Sequence, residues 1–316
     1  METRQLDIVT LGEAMLRFTP PAPLVLEQAP YFEVRAGGAE SNVAITGARM
    51  GLRTGWISRL PRSPLGRRVA RSVQEHGVDV SRIVWTDSGR VGLYFIDSAD
   101  APRSRDTVYD RSGSAITEIS SKDVDWDYVA AARVLHLTGI TLALGNGPRE
   151  VVERALELEG PLISFDLNYR AKLWSTEQAR IVVEQVLPKV DILCTGLEEW
   201  RAVFQLEGDT LQAAHSLHER FGPQVTIVTN GAKKAVAFDG RAYERTPREV
   251  KVVDPIGAGD AFLAGFLVGY LERGTEYGLD MATALGALKL TYLGDIPWCS
   301  REDVLAYMQD RLGPSR

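Results

Sequence analysis

Asp254-Pro255-Ile256-Gly257-Ala258-Gly259-Asp260 is the stretch on which the reading of this chain turns. It follows an apolar, β-branched run at 250–253 and leads into a long apolar run ending near Leu271. The pattern reads as strand, tight turn, helix start. Two glycines flanking one alanine let the backbone turn sharply, with its N–H groups pointing at one spot. Those groups also open a helix, whose dipole adds positive potential there. Gly257, Ala258 and Gly259 are therefore expected to form an anion hole. Asp260 follows directly, beside the place where an anion would sit.

A carboxylate in that position has two readings. As a helix cap it stabilises by about 0.5–2 kcal/mol. As a base it accepts the proton of an attacking hydroxyl while the hole neutralises a transferring phosphoryl group. Phosphoryl transfer asks for little beyond positioning, charge neutralisation and such a base. The spacing favours the base, and the helix dipole is expected to keep Asp260 ionised at neutral pH.

The rest of the chain sets bounds. Its 316 residues carry 36 Lys and Arg against 42 Asp and Glu, a net charge of −6 with the signs interspersed. That argues against nucleic acid as the main partner, yet a local positive pocket can still take an anionic substrate. With 45% hydrophobic and 25% charged residues, the composition is that of a soluble globular protein. No apolar run approaches the roughly 20 residues of a membrane span, and the N-terminus shows no signal pattern. A cytoplasmic protein without membrane attachment is expected. Cys194 and Cys299 have neither metal nor disulfide spacing and read as buried small apolar side chains.

Residues 6–11 read as the first buried strand. Residues 14–35 carry Pro20, Pro21, Pro23 and Pro30, which exclude a helix and fit edge strands of a small sheet leaving the main domain. Gly37 and Gly38 precede a helical run to Met50. Residues 91–97 and 107–111 read as a hairpin joined by a turn at 100–105, with Tyr109 and Arg111 on one face. Strands at 134–137, 162–166, 191–194 and 225–229 alternate with helices at 148–159, 176–187, 197–204 and 210–221. A hairpin at 235–245 and a closing helix at 281–293 follow. Such alternation means a doubly wound α/β fold, its mostly parallel sheet flanked by helices. The chain is read as one domain, 1–316, with strands of the small sheet inserted at about 14–36 and 90–112.

The stretch 254–260 resembles the Asp-Thr-x-Gly-Ala-Gly-Asp signature of the ribokinase-like (PfkB) carbohydrate kinases, with Pro255 in place of Thr. That replacement is familiar in the 2-keto-3-deoxygluconate kinase branch. Gly37-Gly38-Ala39-Glu40-Ser41-Asn42-Val43-Ala44 resembles the family's Gly-Gly-x-x-x-Asn-x-Ala. Its glycines would let a sugar approach the backbone, and Asn42 would offer a donor and an acceptor to hydroxyls. Asp166-Leu167-Asn168-Tyr169-Arg170 is similar to the family's Asp-x-Asn-x-Arg. At 61–66, where many members place Gly and Asp near the sugar, Arg62 and Ser63 depart, and no role is assigned there.

The resemblance implies a ribokinase-like fold with a small β-sheet lid, ATP and Mg²⁺ as cofactors, a monovalent cation such as K⁺ beside the anion hole, and a homo-oligomer formed through the lid. Leu24, Val25, Leu26, Tyr31 and Phe32 are apolar lid side chains that need covering. Gly38, Tyr94, Tyr109, Arg111, Arg170 and Asp260 match substrate-binding positions of the 2-keto-3-deoxygluconate kinase branch. Two arginines and two tyrosines around one sugar suggest that it carries an anionic group, with guanidinium forks as the clamp. The expected reaction is transfer from ATP to the terminal hydroxyl of 2-keto-3-deoxygluconate, giving the 6-phosphate.

The nucleotide side is less regular. Thr229, Gly231 and Lys233 fall in a segment resembling Thr-x-Gly-x-x-Gly, with Lys234 replacing the last Gly. Gly257 and Gly259 would serve the nucleotide phosphates as well. In the family's Asn-x-x-Glu element the Asn is Gly196, while Glu199 remains as a candidate near the metal. Two other readings stand beside this one. A fructokinase or other hexose kinase would pair Arg111 and Arg170 with protein carboxylates. A sugar-acid-binding regulator would have kept the fold and lost turnover.

Overall fold

The computed structural model describes residues 6–97 and 107–310. In chain order its strands are β1 (Leu6–Leu11), β2 (Met15–Thr19), β3 (Glu33–Gly37), β4 (Thr54–Ile57), β5 (Arg59–Pro61), β6 (Val84–Thr86) and β7 (Leu93–Ile96). There follow β8 (Thr107–Asp110), β9 (Ala132–Thr138), β10 (Leu162–Asp166), β11 (Ile192–Gly196), β12 (Val225–Asn230), β13 (Lys234–Phe238) and β14 (Ala242–Arg245). Eight of them form one sheet in the order β14-β13-β12-β11-β10-β9-β1-β4. From β4 to β12 all neighbours are parallel; β13 and β14 close one edge as an antiparallel hairpin.

Parallel strands with helices on both faces must be apolar on both faces, and the alternation shows it. Val9, Leu11, Leu135 and Leu137 face the helices spanning Asn146–Ala155, Thr176–Val186, Leu197–Phe204 and Thr210–Phe221. Ile8, Val134, Ile192 and Ile227 face the helix Ala258–Arg273. That helix is buried without a break from Ala261 to Gly269, because it lies between the sheet and the helix Thr275–Lys289. The two helices meet through small residues. A Cβ on Gly265 would stand 2.8 Å from the Met281 carbonyl oxygen and 2.9 Å from the Ala282 Cα.

The second sheet has the order β3-β2-β7-β8, with β2 and β7 parallel and the outer pairs antiparallel. Its alternation separates two faces. Met15, Arg17, Tyr94, Ile96 and Tyr109 are on one; Leu16, Phe18, Leu93, Phe95 and Val108 are on the other. The turn expected at 100–105 lies outside the described residues.

Several expected elements match in their bounds, among them the strand Leu162–Asp166 and the helices Leu197–Phe204 and Thr210–Phe221. The expected strand at 250–253 is not a strand. The hairpin β13–β14 already occupies that edge of the sheet, and the segment is held instead by the end of a helix. Val253 N–H and Asp254 N–H both donate to the Leu290 carbonyl, at 2.7 and 3.2 Å. The closing helix begins earlier and ends earlier than read, at Thr275–Lys289. A further helix, Arg301–Met308, carries a cap legible in sequence: Ser300 Oγ accepts from Asp303 N–H while the Asp303 carboxylate accepts from Ser300 N–H.

The close helix crossing yields a test. Gly265→Ala drives a methyl group into the backbone of the facing helix, and overpacking of that kind costs about 1–3 kcal/mol. A urea unfolding midpoint lowered accordingly is the expected outcome; an unchanged midpoint would mean that the two helices separate freely.

Candidate active site

A cavity of about 930 Å³ opens beyond the carboxyl ends of β1, β10, β11 and β12, between the main sheet and the inner face of the small sheet. This is where an open parallel sheet presents its loops. Of the residues singled out in sequence, Gly37, Gly38, Asn42, Tyr94, Tyr109 and Arg111 line it from one side. Asn168, Arg170, Glu199, Thr229 and Gly231 line it from the other, and Gly257 to Asp260 form its floor. Lys233 is not brought in: it is exposed on the turn between β12 and β13.

The floor is built by a cap that is all backbone. Gly257 is the N-cap of the helix Ala258–Arg273, at φ +81, and no side chain caps that terminus. Its conformation excludes a side chain, and a Cβ there would overlap the Asp295 carbonyl oxygen. The first N–H groups of a helix have no acceptor within it; that of Ala258 donates to the Pro255 carbonyl at 3.3 Å, and those of Gly259 and Asp260 are left at the cavity end. Around Gly259 a Cβ would meet nothing within 4 Å. Asp260 lies in the first turn and is not the cap.

Asn42 Nδ2 donates to Asp260 Oδ2 at 2.6 Å. Asn42, expected to serve sugar hydroxyls, thus gives one of its two amide N–H donors to Asp260, while its Oδ1 is buried without a partner. Burial pushes the Asp260 carboxyl up to about 6, against the opposing pull of the Asn42 hydrogen bond and the Arg170 charge. It is still ionised above neutrality, but its environment raises rather than lowers its proton affinity. Glu40, two residues before Asn42 on the same helix, was not singled out in sequence. It is fully buried, accepts from the hydroxyls of Thr138 (2.7 Å) and Thr141 (2.6 Å), and is pushed by burial up to about 7.

Asp254 anchors the loop before the hole. Its carboxylate takes Arg17 Nη2 at 2.6 Å, Ile256 N–H at 3.1 Å and Gly294 N–H at 3.1 Å. Arg17, from β2, also binds Asp295 at 2.7 Å. Tyr94 donates its hydroxyl to the other Asp295 oxygen at 2.6 Å. Its ring lines the cavity and stacks on Tyr109, but its hydroxyl is taken by protein. Arg17 and Asp295 escaped the sequence reading; an arginine inside a strand of apolar alternation was the available signal.

Arg111 stands over the Tyr109 ring at 5.6 Å and pairs with Glu13, which is 4% exposed and follows β1. Glu13 was likewise missed, although a carboxylate just after a parallel strand is a site position by topology. Arg111 Nε and Glu13 Oε1 are buried and without partners. Asp110, between Tyr109 and Arg111, is exposed on the opposite face and paired with Arg90. Arg170 lies 3.7 Å from Glu199 and donates to the Tyr169 carbonyl. Both arginines thus have carboxylate partners, as the hexose-kinase alternative expects.

Asn168 holds a left-handed backbone at φ +41, and its Nδ2 donates to Asp166 at 2.8 Å. Burial and the neighbouring Glu199 charge push Asp166 well above the carboxylate range, and burial raises Glu199 too. Glu199 also accepts from Gly196 N–H at 3.4 Å, the bland role of an N-terminal cap. Ser63 is explained without a ligand: it caps the helix Pro64–Gln74 by accepting from Gly66 N–H. Lys234 spans its hairpin to Glu244 at 2.7 Å. Cys194 and Cys299 are both buried and free.

A parallel sheet, an uncapped helix terminus on the cavity floor and a carboxylate beside it define a phosphotransferase of the sugar-kinase class. The chain belongs to the pfkB family of carbohydrate kinases, whose family model matches residues 5–302. It is 39% identical over 303 residues to the 2-dehydro-3-deoxygalactonokinase of Haloferax volcanii, covering 94% of this chain and 95% of that protein. Identity to the 2-dehydro-3-deoxygluconokinase of Thermoproteus tenax is 31% over 296 residues, 92% and 90% of the two chains. The crystal structure of the 2-dehydro-3-deoxygluconokinase of Thermotoga maritima superposes with a TM-score of 0.92 at 31% identity, over 96% of this chain and 98% of that one.

A carboxylate can serve as a base only when ionised. With the Asp260 carboxyl near 6, kcat/KM should fall about tenfold per pH unit below that value and level off above it. The Asn42 hydrogen bond lowers this pKa, so Asn42→Ala should move the acid limb to higher pH. A pH–rate profile identical in wild type and variant would remove Asn42 from the control of the base.

Proposed function

We propose that this carbohydrate kinase transfers the γ-phosphoryl group of ATP to the terminal hydroxyl of 2-keto-3-deoxygluconate, giving 2-keto-3-deoxy-6-phosphogluconate. The reading rests chiefly on one arrangement: Asp260, oriented by Asn42, lies at an uncapped helix N-terminus in the cavity that also holds Arg111 and Arg170. Asp260 takes the proton of the attacking hydroxyl. The N–H groups of the first helical turn face the charge that develops on the transferring group. Gly37 and Gly38 line the cavity; the protein itself fills the space a Cβ would take on either, with the Asp295 carboxylate or the Glu13 carbonyl, and the backbone they leave in the cavity wall is assigned to the sugar.

Arg111 and Arg170 are assigned to the substrate carboxylate. Their pairing with Glu13 and Glu199 does not exhaust them, because a guanidinium carries five N–H donors and Arg111 Nε has no protein partner. Glu13 Oε1 would accept from a sugar hydroxyl. The fructokinase alternative keeps both arginines on protein acids. The galactonate epimer is a second reading within the same class, favoured by the higher identity to the Haloferax volcanii enzyme.

Thr229 and Gly231 are assigned to the nucleotide side, with Gly257 and Gly259 at its phosphates. Among the described residues no cluster of three or more His, Cys, Asp or Glu could hold a metal alone. Mg²⁺ does not need one, since it binds through one or two carboxylates plus phosphate oxygens and water. Asp166 and Glu199 suit it, because burial opposes the ionisation of both and the Glu199 charge adds to this at Asp166, effects a divalent cation would counter. Mg²⁺ so held supplies charge neutralisation at the phosphates. ATP as donor accords with a cytoplasmic site of action; among the described residues no helix is long and apolar enough to cross a membrane. For the assembly we assign a homo-oligomer through the small sheet. Its outer face carries the Phe18, Phe32 and Phe95 cluster beside Val108 and Tyr31, the last two 47% and 65% exposed.

ADP release with Mg²⁺-ATP should be measured for 2-keto-3-deoxygluconate, 2-keto-3-deoxygalactonate, fructose, ribose and gluconate in turn. The expected order places a keto-deoxy acid far above fructose and ribose, with turnover reduced about 10²–10⁴-fold in Asp260→Asn. Arg111→Ala should chiefly raise KM for the acid. A preference for fructose, or an unchanged KM in Arg111→Ala, would overturn the carboxylate assignment.

A further inference from the structure

Lys289 ends the helix Thr275–Lys289 and is among the most completely buried side chains of the protein, at 0% exposure. Lysine is almost never buried so fully without partners. Its Nζ donates to the Asp254 carbonyl oxygen at 2.7 Å and reaches the Tyr292 carbonyl at 3.4 Å. Asp254 and Asp295 hold their negative charges nearby and oppose the effect of burial, which brings the ammonium down to about 8. The other faces of those two carboxylates are taken by Arg17. Two cations and two anions therefore close a compact buried cluster directly before Gly257.

The surroundings of the Lys289 ammonium are backbone carbonyls and carboxylate charge. Oxygen dipoles of that kind also replace the hydration shell of a free monovalent cation. Lys289 supplies the positive charge from within the chain, and it grips the one polar atom of Asp254 that its other partners leave untouched. The carboxylate of Asp254 is fixed by Arg17, Ile256 N–H and Gly294 N–H, and its own N–H by Leu290. Only its carbonyl remained to be oriented, and that carbonyl belongs to the peptide leading into Pro255 and the hole. A separate K⁺ beside the hole, implied by family resemblance, does not fit a chain that brings its own ammonium to this loop.

We propose that Lys289 is a built-in monovalent cation: a positioning residue that holds the Asp254 peptide, sets the anion hole, and makes the enzyme independent of K⁺. The inference rests on the kinase reading, and its test separates the two. Wild-type turnover should change less than twofold between 100 mM tetramethylammonium chloride and 100 mM KCl or NH₄Cl. Lys289→Ala should lose at least tenfold in kcat and regain severalfold with KCl or NH₄Cl, a rescue that a merely structural role would not give. Melting needs no substrate and stands if the sugar assignment fails. The variant, not the wild type, should gain about 2–4 °C in KCl or NH₄Cl over tetramethylammonium chloride at equal ionic strength. Strong K⁺ activation of the wild type would overturn the proposal, even if Lys289→Ala did not fold. A folded Lys289→Ala indifferent to both cations, in rate and in melting, would overturn it as well.

Discussion

The structure depends most on how Asp254 is held. A carboxylate taken out of water must have its lone pairs filled, or the burial is costly. Here Arg17 and two N–H groups do so. The arginine comes from the small sheet, one N–H from the loop after the last long helix, and the other from the turn itself. Two distant parts of the chain are thereby registered against the turn that leads to Gly257. Gly257 can then lie against the Asp295 carbonyl, because Asp295 is fixed by the same guanidinium.

That registration also bears on the environment of Asp260. Asp260 is delivered by a helix that is apolar on every side, so it enters a poorly solvated place. Burial raises its proton affinity, and the Asn42 amide and the Arg170 charge moderate the rise. The result lies close to the operating range of a general base. Asn42 and Asp260 come from the starts of two helices that pack on each other, which keeps their separation independent of loops.

Much of this was legible in the sequence, and the remainder was not for definable reasons. The alternation of apolar strands with amphipathic helices is a local signal, and it placed elements such as Leu162–Asp166 and Leu197–Phe204. The run at 250–253 carried the same local signal and misled. Strand formation needs a free sheet edge, and whether one exists is decided by β13 and β14, not by the valines. Glycine motifs marked the hole and the Asn42 helix because backbone constraints are written in single residues. Arg17, Glu13, Asp295 and Lys289 are pairwise features. Each is an ordinary charged residue until the fold brings its partner, and Arg17 and Asp295 are 278 positions apart. Lys233 shows the converse, a charge in a phosphate-like context that the turn directs to solvent.

Gly257 and Gly259 look alike in the sequence but answer to different forms of selection. Gly257 is required by the fold, through its left-handed backbone and the Asp295 carbonyl that crowds it. Gly259 has open space around its missing side chain. Alanine is the better helix former by about 1 kcal/mol, so selection for folding alone would erode the second glycine and keep the first. The first glycine therefore answers to a demand of the fold, and the second to none that folding makes, a distinction drawn within three residues.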